Sequence, residues 1–252
     1  MLADSHCHLN FPELCSELDQ VLAHMRENGV ARALCVCVSL EEFPQVLEIA
    51  DSHDEIYASV GVHPDYQDAA EPSVEGLVEL ARHRKVVAIG ETGLDYYRVE
   101  GDHSRQQARF RTHIRAAKAC AKPLIVHTRS AARDTIRIME EENSAQAGGV
   151  MHCFTETLEV AEAAMAMNFY ISFSGIVTFK NAHEIKEVAR KIPLERMMIE
   201  TDSPYLAPVP YRGKTNRPGY VKHVAEELAR LRGVSVEEIA SATTRNFIKL
   251  FN

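Results

Sequence analysis

Val86-Val87-Ala88-Ile89-Gly90-Glu91, an amphipathic stretch over residues 104–121, and then Leu124-Ile125-Val126-His127 form the passage that decides the fold. A short β-branched apolar run ends in a polar residue, a helix follows, and a second such run ends the same way. Continuous apolar runs of this length suit strands buried on both faces, as in parallel sheets, and parallel neighbours need a crossover helix. Working outward, the unit repeats in both directions. Apolar runs occur at 2–6, 33–38, 56–62, 86–90, 124–127, 149–152, 169–173 and 197–200. Helical spacing is predicted over 17–28, from Ser73 onward, and over 104–121, 131–142, 157–167, 182–190 and 219–232. A capping box at Ser235-Val236-Glu237-Glu238 opens one more, and residues 244–250 close the chain. Eight strands alternating with about eight helices predict an α/β fold, a (β/α)8 TIM barrel in one domain spanning 1–252. The competing doubly wound sheet lacks its signature, since no Gly-rich phosphate loop follows the first run.

Composition narrows the class further. With 28 Lys+Arg against 36 Asp+Glu the formal net charge is −8, which argues against broad coating of duplex DNA but not against a nucleic acid held locally. No apolar stretch is long enough for a membrane span, and Met1-Leu2-Ala3-Asp4 lacks the layout of a signal peptide. A cytoplasmic protein with six reduced cysteines is the expectation, with no membrane and no obligate protein partner. Cys35 and Cys37 lie inside an apolar run and read as buried packing rather than metal ligands.

What ends each run is more informative. The first ends in His6-Cys7-His8, the third in His63, the fourth in Glu91, the fifth in His127, the sixth in His152 and the eighth in Glu200-Thr201-Asp202. In a barrel of parallel strands all these ends gather at one rim. Residues two apart on a strand share a face, so His6 and His8 both point inward while Cys7 points to the helices. So many buried ionisable groups are costly unless they are paired or coordinate metal. Imidazole with carboxylate suits Zn, Mn or Mg, and Glu91, midway round the ring, is the natural bridge between two ions that activate water for hydrolysis. Asp202 is the best candidate for general base. His24, His53, His83, His103, His113, His183 and His223 fall in helices or flanking loops and read as surface or capping residues. After Asp202, a Gly/Pro-bounded loop carries Arg212, Lys214 and Arg217, a local site for phosphate; Arg129, two past His127, is a further candidate.

Together these residues resemble the TatD family of metal-dependent hydrolases and deoxyribonucleases, within the amidohydrolase-like barrels. The resemblance runs through Asp4-Ser5-His6-Cys7-His8-Leu9, Gly61-Val62-His63-Pro64, Gly90-Glu91-Thr92-Gly93-Leu94-Asp95-Tyr96 and Pro123-Leu124-Ile125-Val126-His127-Thr128-Arg129. It continues through His152-Cys153-Phe154-Thr155, Ser172-Phe173-Ser174-Gly175, Glu200-Thr201-Asp202-Ser203-Pro204-Tyr205-Leu206 and Arg212-Gly213-Lys214. It implies two divalent ions, one held by His6, His8 and Asp202, the other by His127 and His152, with Glu91 between them and His63 beside the scissile group. It also implies a 3′-to-5′ exonuclease on DNA ends. Three positions depart from the pattern, Glu156 for a glycine, Ser130 for an acid and Arg217 for a glutamate, and these bear on substrate choice. The same site can instead direct water at a carbonyl, so an amide or ester hydrolase, such as an aminoacyl-tRNA deacylase, is the alternative. A non-catalytic metal-binding scaffold is a third reading, disfavoured by the complete ligand set.

Overall fold

Eight parallel strands follow one another round a single sheet in chain order in the computed structural model, which describes all of residues 1–252. They are β1 (Leu2–Cys7), β2 (Val30–Cys35), β3 (Ile56–Val60), β4 (Val86–Asp95), β5 (Leu124–Arg129), β6 (Gly149–Met151), β7 (Phe169–Phe173) and β8 (Met197–Ile199). Between them run helices α1 (Pro12–Cys15), α2 (Leu18–Glu27), α3 (Phe43–Ser52), α4 (Val74–Leu80), α5 (Ser104–Cys120), α6 (Ala132–Glu141), α7 (Leu158–Ala166) and α8 (His183–Lys191). Helices α9 (Val221–Arg232) and α10 (Val236–Phe251) end the chain. The predicted (β/α)8 barrel in one domain is the observed one.

The sheet closes through a narrow seam. Beyond β8 the chain pairs with the end of β1 through the Asp202 N–H to His6 carbonyl bond (2.9 Å) and the His8 N–H to Ser203 carbonyl bond (2.8 Å). Asp4 reinforces it, its carboxylate accepting from the Thr201 N–H (2.8 Å) and hydroxyl (2.5 Å). No helix is long and apolar enough to cross a membrane.

Two apolar layers hold the barrel together. The larger lies between sheet and helices, where stripes such as Val21, Leu22 and Met25 on α2 or Ile185, Val188 and Ala189 on α8 meet the outward strand residues. The smaller gathers Ala3, Leu34, Val36, Ala88, Ile125, Val150, Tyr170 and Met198 from seven strands, sealed by Phe247 and Phe251 of α10. Strand alternation makes these residues the lower filling of the barrel.

Differences from the sequence reading have local causes. Helix α3 was not predicted, though Phe43, Val46, Ile49 and Ala50 form its buried face. The last helix runs unbroken from Val236 to Phe251, started as expected by the Ser235 hydroxyl accepting the Glu238 N–H at 3.1 Å. Cys35 and Cys37 are packing residues, with Sγ of Cys37 donating to the Ser39 carbonyl at 2.9 Å. Burial pushes both thiols up to about 12.

Candidate metal centre

Alternation along the strands carries polar residues to the mouth. Ile125, Val150 and Met198 belong to the inner filling, and two residues later come His127, His152 and Glu200. On β1 and β4 alternation alone would fail. From Ala3 it continues to Ser5, whose hydroxyl meets that of Ser172 at 3.1 Å inside the barrel. The register with β2 then shifts between Asp4 and Cys7, turning His6 inward. On β4 the register with β5 shifts between Ile89 and Thr92, three residues facing two, and this extra residue aims Glu91 into the mouth. Gly61 permits the close approach, since a Cβ there would lie 2.5 Å from the Gly90 carbonyl carbon.

Glu91, 3 % exposed, is the centre of the site. Its Oε1 lies 3.2 Å from His63 Nε2, 3.2 Å from His127 Nδ1 and 2.9 Å from His152 Nε2. Its Oε2 lies 3.2 Å from His6 Nε2, which in turn is 3.3 Å from His8 Nε2. Asp202 Oδ1 stands 3.7 Å from His6 and 3.5 Å from His8. Asp202 itself has φ 57, a left-handed turn that bends its side chain back over the seam. The structure therefore brings together His6, His8, His63, Glu91, His127, His152 and Asp202, and three triads among them have donor atoms mutually close enough to share a cation: His6/His8/Glu91, His63/Glu91/His127 and His6/His152/Asp202.

The outer ring nitrogens carry the argument for a cation. His63 Nδ1 meets Asp65, His127 Nε2 meets Asp95 Oδ2 at 3.2 Å, and His152 Nδ1 meets Glu200 Oε1 at 3.0 Å. His8 Nδ1 meets the Val36 carbonyl at 3.0 Å, which fixes it as the donor. A neutral imidazole has one N–H, and here the outer acceptors take it, so each inner nitrogen turns a lone pair toward Glu91 or its neighbours. Lone pairs facing carboxylate oxygens in a buried site require positive charge between them, and a divalent ion with mixed imidazole and carboxylate donors supplies it. The donor set fits such an ion.

Without an ion, two of the rings favour taking up a proton, whereas burial and the neighbouring His152 push His6 down. Burial would neutralise His63, but Glu91 and Asp65 outweigh it and push the ring up to about 9. His152 is raised likewise, against its burial, by Glu91 and Glu200. For the acids, burial opposes ionisation and is overcome by the imidazoles, which hold Glu91 and Asp202 below the usual carboxylate range.

The mouth opens into a cleft of about 800 Å³. Arg129, Arg212 and Lys214 line it. They rest on aromatic rings rather than carboxylates: Arg129 over Tyr97 at 4.0 Å, Arg212 over Phe179 at 4.0 Å and Lys214 over Tyr211 at 5.8 Å. Arg217 is not brought there. Asn216, buried and bonded through Nδ2 to the Thr201 and Tyr205 carbonyls, turns the chain away, and Arg217 pairs with Glu17 at 2.9 Å. Glu156 lies half-buried in the loop after β6, outside the cleft lining, its carboxyl pushed up by burial and by Glu184. Ser130 is exposed at φ 54.

His113 is a correction. It is fully buried on α5, accepting the Val62 N–H at Nε2 (3.0 Å) and meeting the Arg109 carbonyl at Nδ1 (2.8 Å). It shares a stripe with Phe110, Ile114 and Ala117, a spacing that marks it as internal. The other six helix or loop histidines are partly or fully exposed. Sequence reasoning assigned no role to Asp65, Asp95 or Glu200, which orient the rings, nor to Arg98, which lines the cleft and pairs with Asp65 at 2.6 Å.

A parallel barrel with imidazoles and carboxylates converging at its C-terminal mouth is the frame of a metal-dependent hydrolase. A family model described as TatD related DNase matches residues 3–252. YcfH of Escherichia coli (strain K12), an uncharacterized metal-dependent hydrolase, is 48% identical over 255 residues, covering 100% of this chain and 96% of its own. YabD of Bacillus subtilis (strain 168), described in the same words, is 45% identical over 252 residues, covering 100% and 99%. The crystal structure of YjjV, a TatD homolog from Escherichia coli K12, superposes with a TM-score of 0.92 at 30% identity, covering 100% of this chain and 98% of that one. The chain belongs to the TatD family and is a metal-dependent hydrolase.

Proposed function

We propose that this hydrolase is a deoxyribonuclease that shortens DNA from the 3′ end. The observation that carries the reading is the placing of Arg129, Arg212 and Lys214, free of carboxylate partners, around a cluster able to hold divalent cations, in a chain whose formal net charge is −8. Cationic side chains gathered at the mouth of an acidic protein favour a phosphate-bearing substrate held locally. The description of the matching family model supports the same substrate class.

In this reading His6, His8 and Asp202 would hold one ion and His127 and His152 the other, with Glu91 available to both; Mg, Mn and Zn all suit the donors. When bound, such ions would supply Lewis-acid chemistry for a water molecule and for the charge of the scissile phosphate. Arg129, Arg212 and Lys214 bind the flanking phosphates, and Asp202, kept ionised by the imidazoles around it, accepts the proton of the attacking water. The new bond joins that water's oxygen to phosphorus, the bond to the 3′ oxygen of the preceding nucleotide breaks, and that oxygen takes up a proton from solvent to leave as a hydroxyl. His63, oriented by Asp65, stands beside the reacting group.

The test is the Mg- or Mn-loaded protein incubated with single-stranded DNA labelled at the 5′ end. A ladder shortening one nucleotide at a time from the 3′ side is the expected result. Intact strands at full metal occupancy, with turnover on carboxylic esters or aminoacyl-tRNA instead, would overturn it in favour of carbonyl hydrolysis.

A further inference from the structure

The two halves of the mouth differ in chemistry. The side of β5 and β7 carries Arg129 and the Arg212–Phe179 stack. The side of β8, β1 and β3 carries aromatic rings: Tyr205 after β8, Phe11 after β1 and Tyr66 after β3, all lining the same cleft. Phe11 stacks on His8 with centroids 4.7 Å apart and planes at 13°, and Tyr205 meets Phe11 edge-on at 6.1 Å and 72°.

Tyr205 is the unusual member. Tyr205 is 52 % exposed, yet its backbone is pinned. Its N–H donates to the Asp202 carbonyl at 2.9 Å, and its carbonyl accepts from Asn216 Nδ2 at 2.6 Å. A ring that is open to water on a backbone fixed at both peptide groups is presented, not merely left out. Three residues from Asp202, it stands beside the ligand cluster, where it can meet a flat partner attached to the group being cleaved. A strand of nucleic acid has this amphipathic character, with phosphates for the cationic wall and planar bases for the aromatic one.

We infer that Tyr205, backed by Phe11, is the seat for the nucleobase of the 3′-terminal nucleotide, recognising its flat face and not its hydrogen-bonding edge. This rests on the nuclease reading for its substrate and adds to it a binding subsite. The seat discriminates stacked from unstackable bases, and it contributes to binding more than to bond cleavage.

The experiment uses the metal-loaded protein and an oligonucleotide ending in 3′-terminal 2-aminopurine, whose emission is quenched by stacking. Stopped-flow mixing reads the quench before any cleavage. Quenching is expected with the wild type and with Tyr205→Phe, and its loss with Tyr205→Ala. In steady state, Tyr205→Ala should raise KM on the order of 10- to 100-fold, more than it lowers kcat. A strand ending in dihydrothymidine, whose saturated ring cannot stack, should bind the wild type weakly and the alanine variant no worse. An unchanged quench and KM in Tyr205→Ala would overturn the seat, as would a Tyr205→Phe variant as impaired as the alanine one. If the wild type quenches the probe without shortening any strand, the nuclease reading fails and the seat stands. Shortening without a quench does the reverse.

Discussion

The same strands end in opposite chemistry. At the lower end of the barrel Ala3, Ala88, Ile125, Val150 and Met198 pack on Phe247 and Phe251, and Tyr170 is the one member of this filling with a polar group. At the mouth, two or three residues along, His6, Glu91, His127, His152 and Glu200 are just as inaccessible or nearly so, and every one is ionisable. The lower end is held by burial of apolar surface, which is indifferent to charge state. The mouth is held by pairings that depend on protons and cations. One end keeps the fold and the other carries the chemistry, so each should be breakable without the other.

The largest effect is expected from Glu91→Ala, which removes the carboxylate that four imidazoles address. Turnover should fall to background while the metal-free protein keeps a cooperative unfolding transition. Near wild-type turnover at saturating metal would show that the mouth does not depend on this bridge. Phe247→Ala, at the other end, should cost about 3–5 kcal/mol of stability in urea unfolding, with activity per folded molecule preserved. Loss of activity in molecules still folded would show that the two ends are coupled.

His113 sharpens the contrast, being a buried histidine whose partners are backbone groups alone. Burial lowers it to about 4, well under the 6.5 of a free imidazole. Its stabilising contribution is complete above pH 6.5 and is lost as the pH falls toward 4, at about 1.4 kcal/mol per pH unit and about 3 kcal/mol across the window. Urea unfolding of metal-free wild type and His113→Gln over that range should give a steeper dependence in the wild type; parallel curves would count against the assignment. The smallest effect is expected from Glu200→Gln. Glu200 Oε1 accepts from the Cys153 N–H at 2.7 Å as well as meeting His152. Removing its charge should weaken ion binding about 10- to 100-fold in calorimetric titration, with the metal-free melting temperature little changed. The opposite pattern, unchanged affinity and a lower melting temperature, would make Glu200 a support for the β6 loop only.

The barrel was legible in sequence because each strand is a compact apolar run and most helices carry a clean stripe. Helix α3 escaped because Pro44 near its start and the short loop before it hid the pattern of Phe43, Val46 and Ile49. The ring of mouth residues was legible because polar residues end the runs, but how His6 and Glu91 reach the interior was not. That depends on register shifts against β2 and β5, which are properties of pairing and leave no mark in one strand alone. The acids that orient the rings were hidden for a related reason: Asp95 and Glu200 act across strands, on His127 and His152. Arg217 shows the limit of reading charge by proximity, since one buried asparagine redirects it to Glu17, just before α2.

The seam gives the metal centre a second consequence. Along most of the barrel, neighbouring strands are zipped by ladders, but the first and last meet through a few bonds between groups such as Asp4 and Thr201, 197 residues apart in the chain. His6 and His8 stand on one lip of that gap and Asp202 on the other. An ion gripped by all three would be a fastener, favouring the closed form and so drawing the equilibrium toward it. Chelation would then loosen the barrel along one line, between its oldest and its newest strand.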